Sequence, residues 1–352
     1  MKYSGRKLLA SVTIGGVLLS GAAFAQSASF EGSGEIPRSM PGGVEIPRNA
    51  SPIEMPKINP DEIGRDLQLD PEKQRQSFGT VTRSRDSEEE TREGPSEDVL
   101  RSLDLSGTSA EPGQDPAFAE SGDRQVFGED ERVQVTDTSQ YPFRVFGFLF
   151  GKKPQSDSYG VCSAALIGPR TILTAAHCLY DHDGGGWLTE IMFAPGMTSI
   201  DNAPFGAWEW ESATVFEGYI SNYQGNYGSV VPWDIGVVVL QQPIGDHLGW
   251  LGYGHDPELG DFHANIIGYP GDKPDGTMWR SDCTVPKAQV DKDLFFYFCD
   301  TFAGSSGSAV YKYNPDNQDR VIQGVNVAES PQANFAVRMN ETYFNWVKGL
   351  VK

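Results

Sequence analysis

From residue 143 onward the chain is a succession of short runs rich in Val, Ile, Phe, Tyr and Trp, each closed by a Gly, Pro, Asn or Asp turn. The runs are 143–150, 161–167, 191–194, 209–216, 235–240, 265–269, 294–298, 309–313 and 321–327. Segments of four to eight residues between such breakers read as strands, not helices. Many of them in one chain predict an all-β sandwich or barrel architecture, and spacing alone does not choose between the two.

Three motifs inside this pattern carry chemistry. Asp300-Thr301-Phe302-Ala303-Gly304-Ser305-Ser306-Gly307-Ser308-Ala309 centres on Gly-x-Ser-Gly. A serine hydroxyl becomes a nucleophile only when a base takes its proton and donors hold the developing oxyanion. The flanking glycines allow a sharp turn in which the N–H groups of Gly304 and Ser306 aim at one oxygen. A base is offered by Thr174-Ala175-Ala176-His177-Cys178, which follows the short strand Thr171-Ile172-Leu173. A carboxylate is offered by Trp233-Asp234-Ile235-Gly236, which opens the run Val237-Val238-Val239-Leu240. The order His, Asp, Ser is one of the three in which a nucleophilic triad is arranged along a chain.

With these motifs the chain resembles the chymotrypsin-fold serine proteases, and more narrowly their glutamyl endopeptidase branch. The similarity extends to Val126-Phe127-Gly128-Glu129-Asp130-Glu131-Arg132, Thr136-Asp137-Thr138 and Tyr141-Pro142-Phe143-Arg144, and to Gly268-Tyr269-Pro270-Gly271-Asp272. It covers residues 125–352. The resemblance implies two six-stranded antiparallel Greek-key barrels, with Ser306 as nucleophile, His177 as general base and Asp234 as its orienting carboxylate. It also implies an oxyanion hole at the amides of Gly304 and Ser306. The residue before the nucleophile is Ser305, where many relatives carry an Asp that pairs with a freed N-terminus. The new α-amino group is then allowed to lie near the substrate pocket instead.

The resemblance leaves substrate choice divided. Thr301 matches the Thr with which glutamyl endopeptidases receive a substrate carboxylate, but Asn326 stands where their His belongs. Asp300, six residues before Ser306, occupies the position that makes trypsin-like pockets prefer Arg or Lys, and Glu329 adds negative field. The reading therefore favours a basic residue before the scissile bond over Glu. A C-terminal helix closes the chain. Tyr343, Phe344, Trp346, Val347, Leu350 and Val351 form one stripe, Asn340 offers an N-cap, and the helix is expected to pack on the second barrel.

The first third has a different character. Residues 1–25 read as a signal peptide: a basic head at Lys2, Arg6 and Lys7, a short apolar core, and Ala23-Phe24-Ala25 as cleavage site. Residues 26–124 are rich in Pro, Gly, Ser, Glu and Arg and repeat a short element: Glu35-Ile36-Pro37-Arg38, Glu45-Ile46-Pro47-Arg48 and Glu54-Met55-Pro56-Lys57. This composition cannot bury enough apolar surface to offset chain entropy, so the region is expected to be largely disordered. It serves as a propeptide, removed by a cut after Arg124, or as a linker presenting the repeats to a partner; its position favours the propeptide. The net charge of -20 argues against nucleic acid, whose phosphates need clustered cations. The expected product is a secreted or periplasmic monomer that acts on proteins or peptides without cofactor or metal and leaves the membrane behind on maturation. A protease-like fold serving as a binding module is the alternative.

The four cysteines, all beyond the signal in an exported chain, suit disulfides. Three pairings are possible. Cys162 with Cys178 brackets the strands leading to His177, and Cys283 with Cys299 brackets the hairpin leading to Ser306. His182, His247, His255 and His263 fall in loops or at strand starts and carry no assigned role. Asp181-His182-Asp183-Gly184-Gly185-Gly186 lacks the later acidic ligand of a calcium loop and reads as a turn.

Overall fold

The computed structural model describes residues 25–37, 40, 45–59, 63, 69–87, 89–103 and 126–352. The expected signal, apart from Ala25, and the expected cut after Arg124 lie outside the described residues, as does Arg38 of the first repeat.

Six strands close the first barrel: β1 (Phe146–Lys152), β2 (Tyr159–Leu166), β3 (Thr171–Thr174), β4 (Thr189–Pro195), β5 (Trp208–Phe216) and β6 (Gly236–Leu240). The ladder runs β4-β1-β2-β3-β6-β5 and returns from β5 to β4 through Met192↔Glu209 and Phe193↔Trp208. Closure leaves unpaired backbone only along the C-terminal half of β5 and at the start of β2, where the neighbouring ladders do not reach. The near-continuous apolar runs of β1, β2 and β6 are buried almost throughout, as strands covered on both faces should be.

The second half contains β7 (Gly252–His255), β8 (Phe262–Gly268), β9 (Trp279–Val285), β10 (Leu294–Tyr297), β11 (Ala309–Tyr313), β12 (Arg320–Glu329) and β13 (Asn334–Arg338). Six of them run β9-β8-β11-β12-β13-β10, around a core that includes Phe262, Ile266, Val285, Phe295, Tyr297 and Val310; β7 joins β12 in parallel. No ladder joins the outer strands β9 and β10. The disulfide Cys283–Cys299 spans that gap, and Cys162–Cys178 ties β2 to the turn bearing His177. Of the three possible cysteine pairings, the structure takes the one that brackets each site loop. The barrels meet through Phe146 against Tyr311 and Phe148 against Tyr269, with ring centroids 5.7 and 5.4 Å apart.

Two expectations are refined by the packing. The helix Glu341–Leu350 is capped by Asn340, whose Oδ1 accepts from Tyr343 N at 3.1 Å, and its aromatic face is shared between the first barrel and β7 of the second half. Trp346 stacks on Phe216 at 4.0 Å and Tyr343 meets the same ring edge-on, while Phe344 contacts Tyr253 of β7. The stripe says that one face is covered, not by which barrel.

The described parts of the first third are also laid on the domain. Thr80–Ser84 pairs with β5 over five residues, and Glu90–Glu93 adds outside it. Ala50–Pro52 runs parallel to β2, and Ala25–Gln26 pairs with β7. The short helix Glu97–Ser102 buries Val99, and its Ser102 carbonyl accepts from Thr342 Oγ1 of the C-terminal helix. The composition argument concerned a core of the region's own; here it borrows sheet edges and apolar surface that the barrels already present. Among the described residues no helix is long and apolar enough to cross a membrane.

Because Cys283–Cys299 closes the unladdered gap, replacing both by Ala is expected to cost about 3 kcal/mol. Hydrogen exchange should rise at Leu294–Tyr297 and stay unchanged in β1 and β2. Equal exchange at β10 in the variant and the parent would refute the bracing role.

Candidate active site

Strand register brings the first two residues together. Gly236 pairs with Thr174 at the end of the β3–β6 ladder, so the chain before β6 and the turn after β3 leave the same edge of the sheet. His177 lies in the turn Ala176–Cys178 and Asp234 just before β6. Asp234 is fully buried and accepts twice from His177: from the backbone N to Oδ1 at 2.9 Å and at Nδ1 to Oδ2 at 2.7 Å. An ionised carboxylate at Nδ1 keeps the proton there and leaves Nε2 as the acceptor. That Nε2 is buried and has no hydrogen-bond partner among the described residues. The ring of Tyr227 meets the imidazole edge-on at 6.0 Å.

Ser306 lies in the loop between β10 and β11. Gly304 and Gly307 have φ of +95° and +82°, which only glycine adopts without strain. A Cβ on Gly307 would stand 2.2 Å from Thr174 Oγ1 and 3.0 Å from Ala175 N, so the loop is pressed against the turn that carries His177. Ser306 is fully buried, and its Oγ also has no partner among the described residues; no hydrogen bond joins it to His177. The carbonyls of the loop are taken. Ala303 O accepts from Gly271 N at 2.7 Å, Gly304 O from Ser163 Oγ at 2.9 Å and Ser306 O from Ser163 N at 2.8 Å. With the carbonyls turned away, the N–H groups of Gly304 and Ser306 donate to no described group. Such a pair of unspent donors beside a hydroxyl is what an oxyanion hole requires.

Ser163 is a residue that sequence reasoning missed. It lies in β2, and its Oγ also accepts from Tyr269 N at 2.9 Å, tying the two barrels to the loop. A lone buried serine in the otherwise apolar run Val161–Leu166 was the available signal.

The pocket residues are distributed otherwise than expected. Asp300 is buried, but its Oδ1 accepts from Phe127 N at 2.8 Å and its Oδ2 from Glu131 N at 2.9 Å. Both oxygens are spent on the backbone of residues 127–131, which corrects the reading of Asp300 as a pocket anion for Arg or Lys. Asn326 is committed too: its Oδ1 accepts from Tyr297 OH and its Nδ2 donates to Ser305 O at 3.0 Å. Thr301 is buried with an Oγ1 that has no partner among the described residues. Glu329, buried at the end of β12, uses its backbone N and O toward residues 56 and 58. The Asp181–Gly186 stretch forms a turn in which Asp181 Oδ1 accepts from Gly184 N at 2.7 Å.

Residues 126–132 are pinned by one buried cation. Arg132 donates from Nη1 to Asp272 Oδ1 at 2.9 Å, from Nε to Asp130 Oδ1 at 2.9 Å and from Nη2 to Asp130 Oδ2 at 2.8 Å; Lys273 joins Asp130 at 2.6 Å. The Arg132 hydrogen bond, aided by Lys273, holds the Asp130 carboxyl well below the usual carboxylate range. A depressed carboxyl stabilises the fold above its unfolded value of about 4 and loses that contribution as pH falls further. Replacing Arg132 by Gln should lower Tm by several degrees at neutral pH and expose the Phe127 and Glu131 amides to hydrogen exchange. The Tm deficit should shrink under strongly acid conditions; unchanged protection of both amides would contradict the pinning.

A family model described as Trypsin matches residues 132–347. The chain is 33% identical over 198 residues to a glutamyl endopeptidase of Bacillus licheniformis, covering 56% of this chain and 58% of that protein. It is 29% identical over 223 residues to a Bacillus subtilis protein named extracellular metalloprotease, covering 62% of this chain and 67% of that one. The metal in that name finds no fitting donors among the described residues. The one cluster of suitable atoms is Cys162, His177 and Cys178, whose sulfurs are joined in a disulfide and whose imidazole Nδ1 faces Asp234. A solved structure, a Glu endopeptidase in complex with MPD, superposes with a TM-score of 0.56 at 26% identity, covering 64% of this chain and 98% of that one. With the family match spanning more than half of its residues and the two-barrel fold beneath it, this chain belongs to the Trypsin family, on its glutamyl-endopeptidase-like side.

Proposed function

We infer that the protein is an exported serine endopeptidase, made with a removable N-terminal region, that cuts polypeptides after acidic residues. One observation carries the enzymatic part: a buried carboxylate holds His177 with Nε2 open, and the loop bearing Ser306 and two unspent amides is pressed against the turn that carries His177. In the reaction Ser306 Oγ passes its proton to His177 Nε2 and attacks the scissile carbonyl carbon. The N–H groups of Gly304 and Ser306 take the oxyanion. His177 returns the proton to the leaving amine, and a water deprotonated by the same nitrogen releases the acyl group. Asp234 stays ionised and stabilises the imidazolium.

Acidic preference rests on different ground. Both Asp300 oxygens are held by backbone N–H groups, so the carboxylate is oriented onto residues 127–131 and not offered as a partner to Arg or Lys. Asn326 has both ends engaged, which leaves the Thr301 hydroxyl as a neutral partner for a substrate group. The missing positive charge is supplied by maturation. Phe127 N is held on Asp300, next to Thr301, and the Phe127 ring rests on Phe298 at 5.5 Å. A cut that frees Gln125 or Val126 sets an α-amino group beside the pocket. Relatives named glutamyl endopeptidases support the same choice. Export is supported by the signal-like first 25 residues and by two disulfides in a chain with no free cysteine.

Ser306→Ala should lower kcat by about 10⁴-fold or more and abolish labelling by a fluorophosphonate; a variant that keeps either would end the enzymatic reading. Among peptides with Glu, Arg or Phe before the scissile bond, Glu should be cut best. The α-amino cation exists below its pKa of about 8, so preference for Glu over Phe should be full at lower pH and fall as pH rises through that value. A preference for Arg, or a Glu/Phe ratio flat across that range, would overturn the acidic assignment.

A further inference from the structure

The segment through the third repeat, Glu54-Met55-Pro56-Lys57, passes from β2 over the serine loop to Asn326 and Glu329 of β12. Upstream of it Ala50–Pro52 pairs in parallel with Tyr159–Val161 of β2, and Ile53 N donates to Val161 O at 2.9 Å. Pro52 rests on Gly271 and on Gly304 of the serine loop; a Cβ at Gly271 would stand 2.1 Å from Pro52 Cγ. Met55 is 2% exposed and its Sδ is 4.0 Å from Asn326 Nδ2. Downstream, Glu329 N donates to Pro56 O at 3.0 Å and Ile58 N to Glu329 O at 2.9 Å, so Lys57 pairs with Glu329 in parallel. Ser306 beneath this strap is fully buried.

We propose that residues 50–58 are a built-in inhibitor that fills the substrate cleft in the direction opposite to a substrate, which is why the nucleophile beneath does not cut it. The proposal rests on the site assignment made above. Because His177 Nε2 must protonate the leaving amine, the part of a substrate after the scissile bond lies on the His177 side, which Cys162–Cys178 ties to β2, and the part before it lies on the side of Thr301, Asn326 and Glu329. A substrate therefore runs from Glu329 to Asn326 to Ser306 and out along the β2 side, antiparallel to β12. The strap passes the same landmarks in reverse order: β2, Gly304, Asn326, Glu329. It takes the ladder bonds of Glu329, and Met55 takes the place beside Asn326.

Reversal has a chemical consequence. A carbonyl of the strap attacked by Ser306 Oγ would have its amide nitrogen on the pocket side, away from His177 Nε2, which must protonate the leaving amine for the bond to break. Without that proton the tetrahedral adduct can only return the serine. The bond after Met55 is doubly protected, because Pro56 makes it a tertiary amide whose ring occupies the approach. Maturation then has two stages: a cut after Arg124 frees the new N-terminus, and loss of the strap opens the cleft.

The test uses the uncut chain from residue 26 and the chain cut after Arg124 and freed of its N-terminal part, each exposed to a fluorophosphonate. Uncut protein should label about tenfold or more slowly than freed protein, because reactivity scales with the fraction of open cleft. Met55→Ala/Ile58→Ala in the uncut chain should recover most of that difference while leaving the freed enzyme unchanged. A synthetic peptide of residues 49–59 should inhibit the freed enzyme competitively and be recovered intact. Equal labelling of uncut and freed wild-type protein, or hydrolysis of the peptide, overturns the proposal alone. A freed enzyme that does not label at all removes the protease reading and this proposal with it.

Discussion

Everything at the site depends on one ion kept out of water. Asp234 has no exposed surface, and a carboxylate taken from solvent is tolerated only where its oxygens are met by donors. Both are met by one residue, through the backbone N–H and the ring nitrogen of His177. That double contact sets the side chain and the turn of His177 together. It exists because β3 and β6 pair in a register that ends at Thr174 and Gly236. A slip of one residue would turn the carboxylate to the other face of the sheet. The Cys162–Cys178 bridge and the closed ladder of the first barrel hold that register.

The serine comes from the other half of the molecule, so its position is a property of the interface between the barrels. Ser163 on β2 is the joint: it gives its N–H to Ser306 O and its hydroxyl to Gly304 O, and accepts from Tyr269 N. These bonds occupy the loop carbonyls and leave the amides of Gly304 and Ser306 without an acceptor among the described residues. The first third of the chain exploits the same geography. It has no core of its own and docks where sheet edges and the cleft offer unpaired backbone, along β5, β2, β7 and Glu329. A segment bound in this manner is ordered only as long as the surface it borrows is present.

Much of the fold was legible because buried strands must be apolar. Each of the nine runs read from composition falls on an observed strand. Those overlooked were β7, β9 and β13, whose sequences Gly-Tyr-Gly-His, Trp-Arg-Ser-Asp-Cys-Thr-Val and Asn-Phe-Ala-Val-Arg mix polar and small residues with apolar ones. Half-exposed strands such as β9 carry a period-two pattern too short to stand out. The C-terminal helix was legible as a stripe with a cap, while its partner Phe216 lies more than a hundred residues earlier and leaves no mark near it. Docking of the first third was illegible for a related reason: strand addition uses backbone groups, which every residue carries.

Local sequence determined the chemical inventory: a hydroxyl between glycines, an imidazole after a short strand, a carboxylate before another, and cysteines flanking two of them. These signals are local because a tight turn demands glycine and a buried strand demands apolar side chains wherever they occur. Tertiary structure alone decided which of these groups face one another and which are consumed. Asp300 and Asn326 look like pocket residues in the chain, yet their polar atoms are spent on Phe127, Glu131, Tyr297 and Ser305. Whether a polar group is free is set by what folds against it from distant parts of the chain, and no residue carries that information by itself.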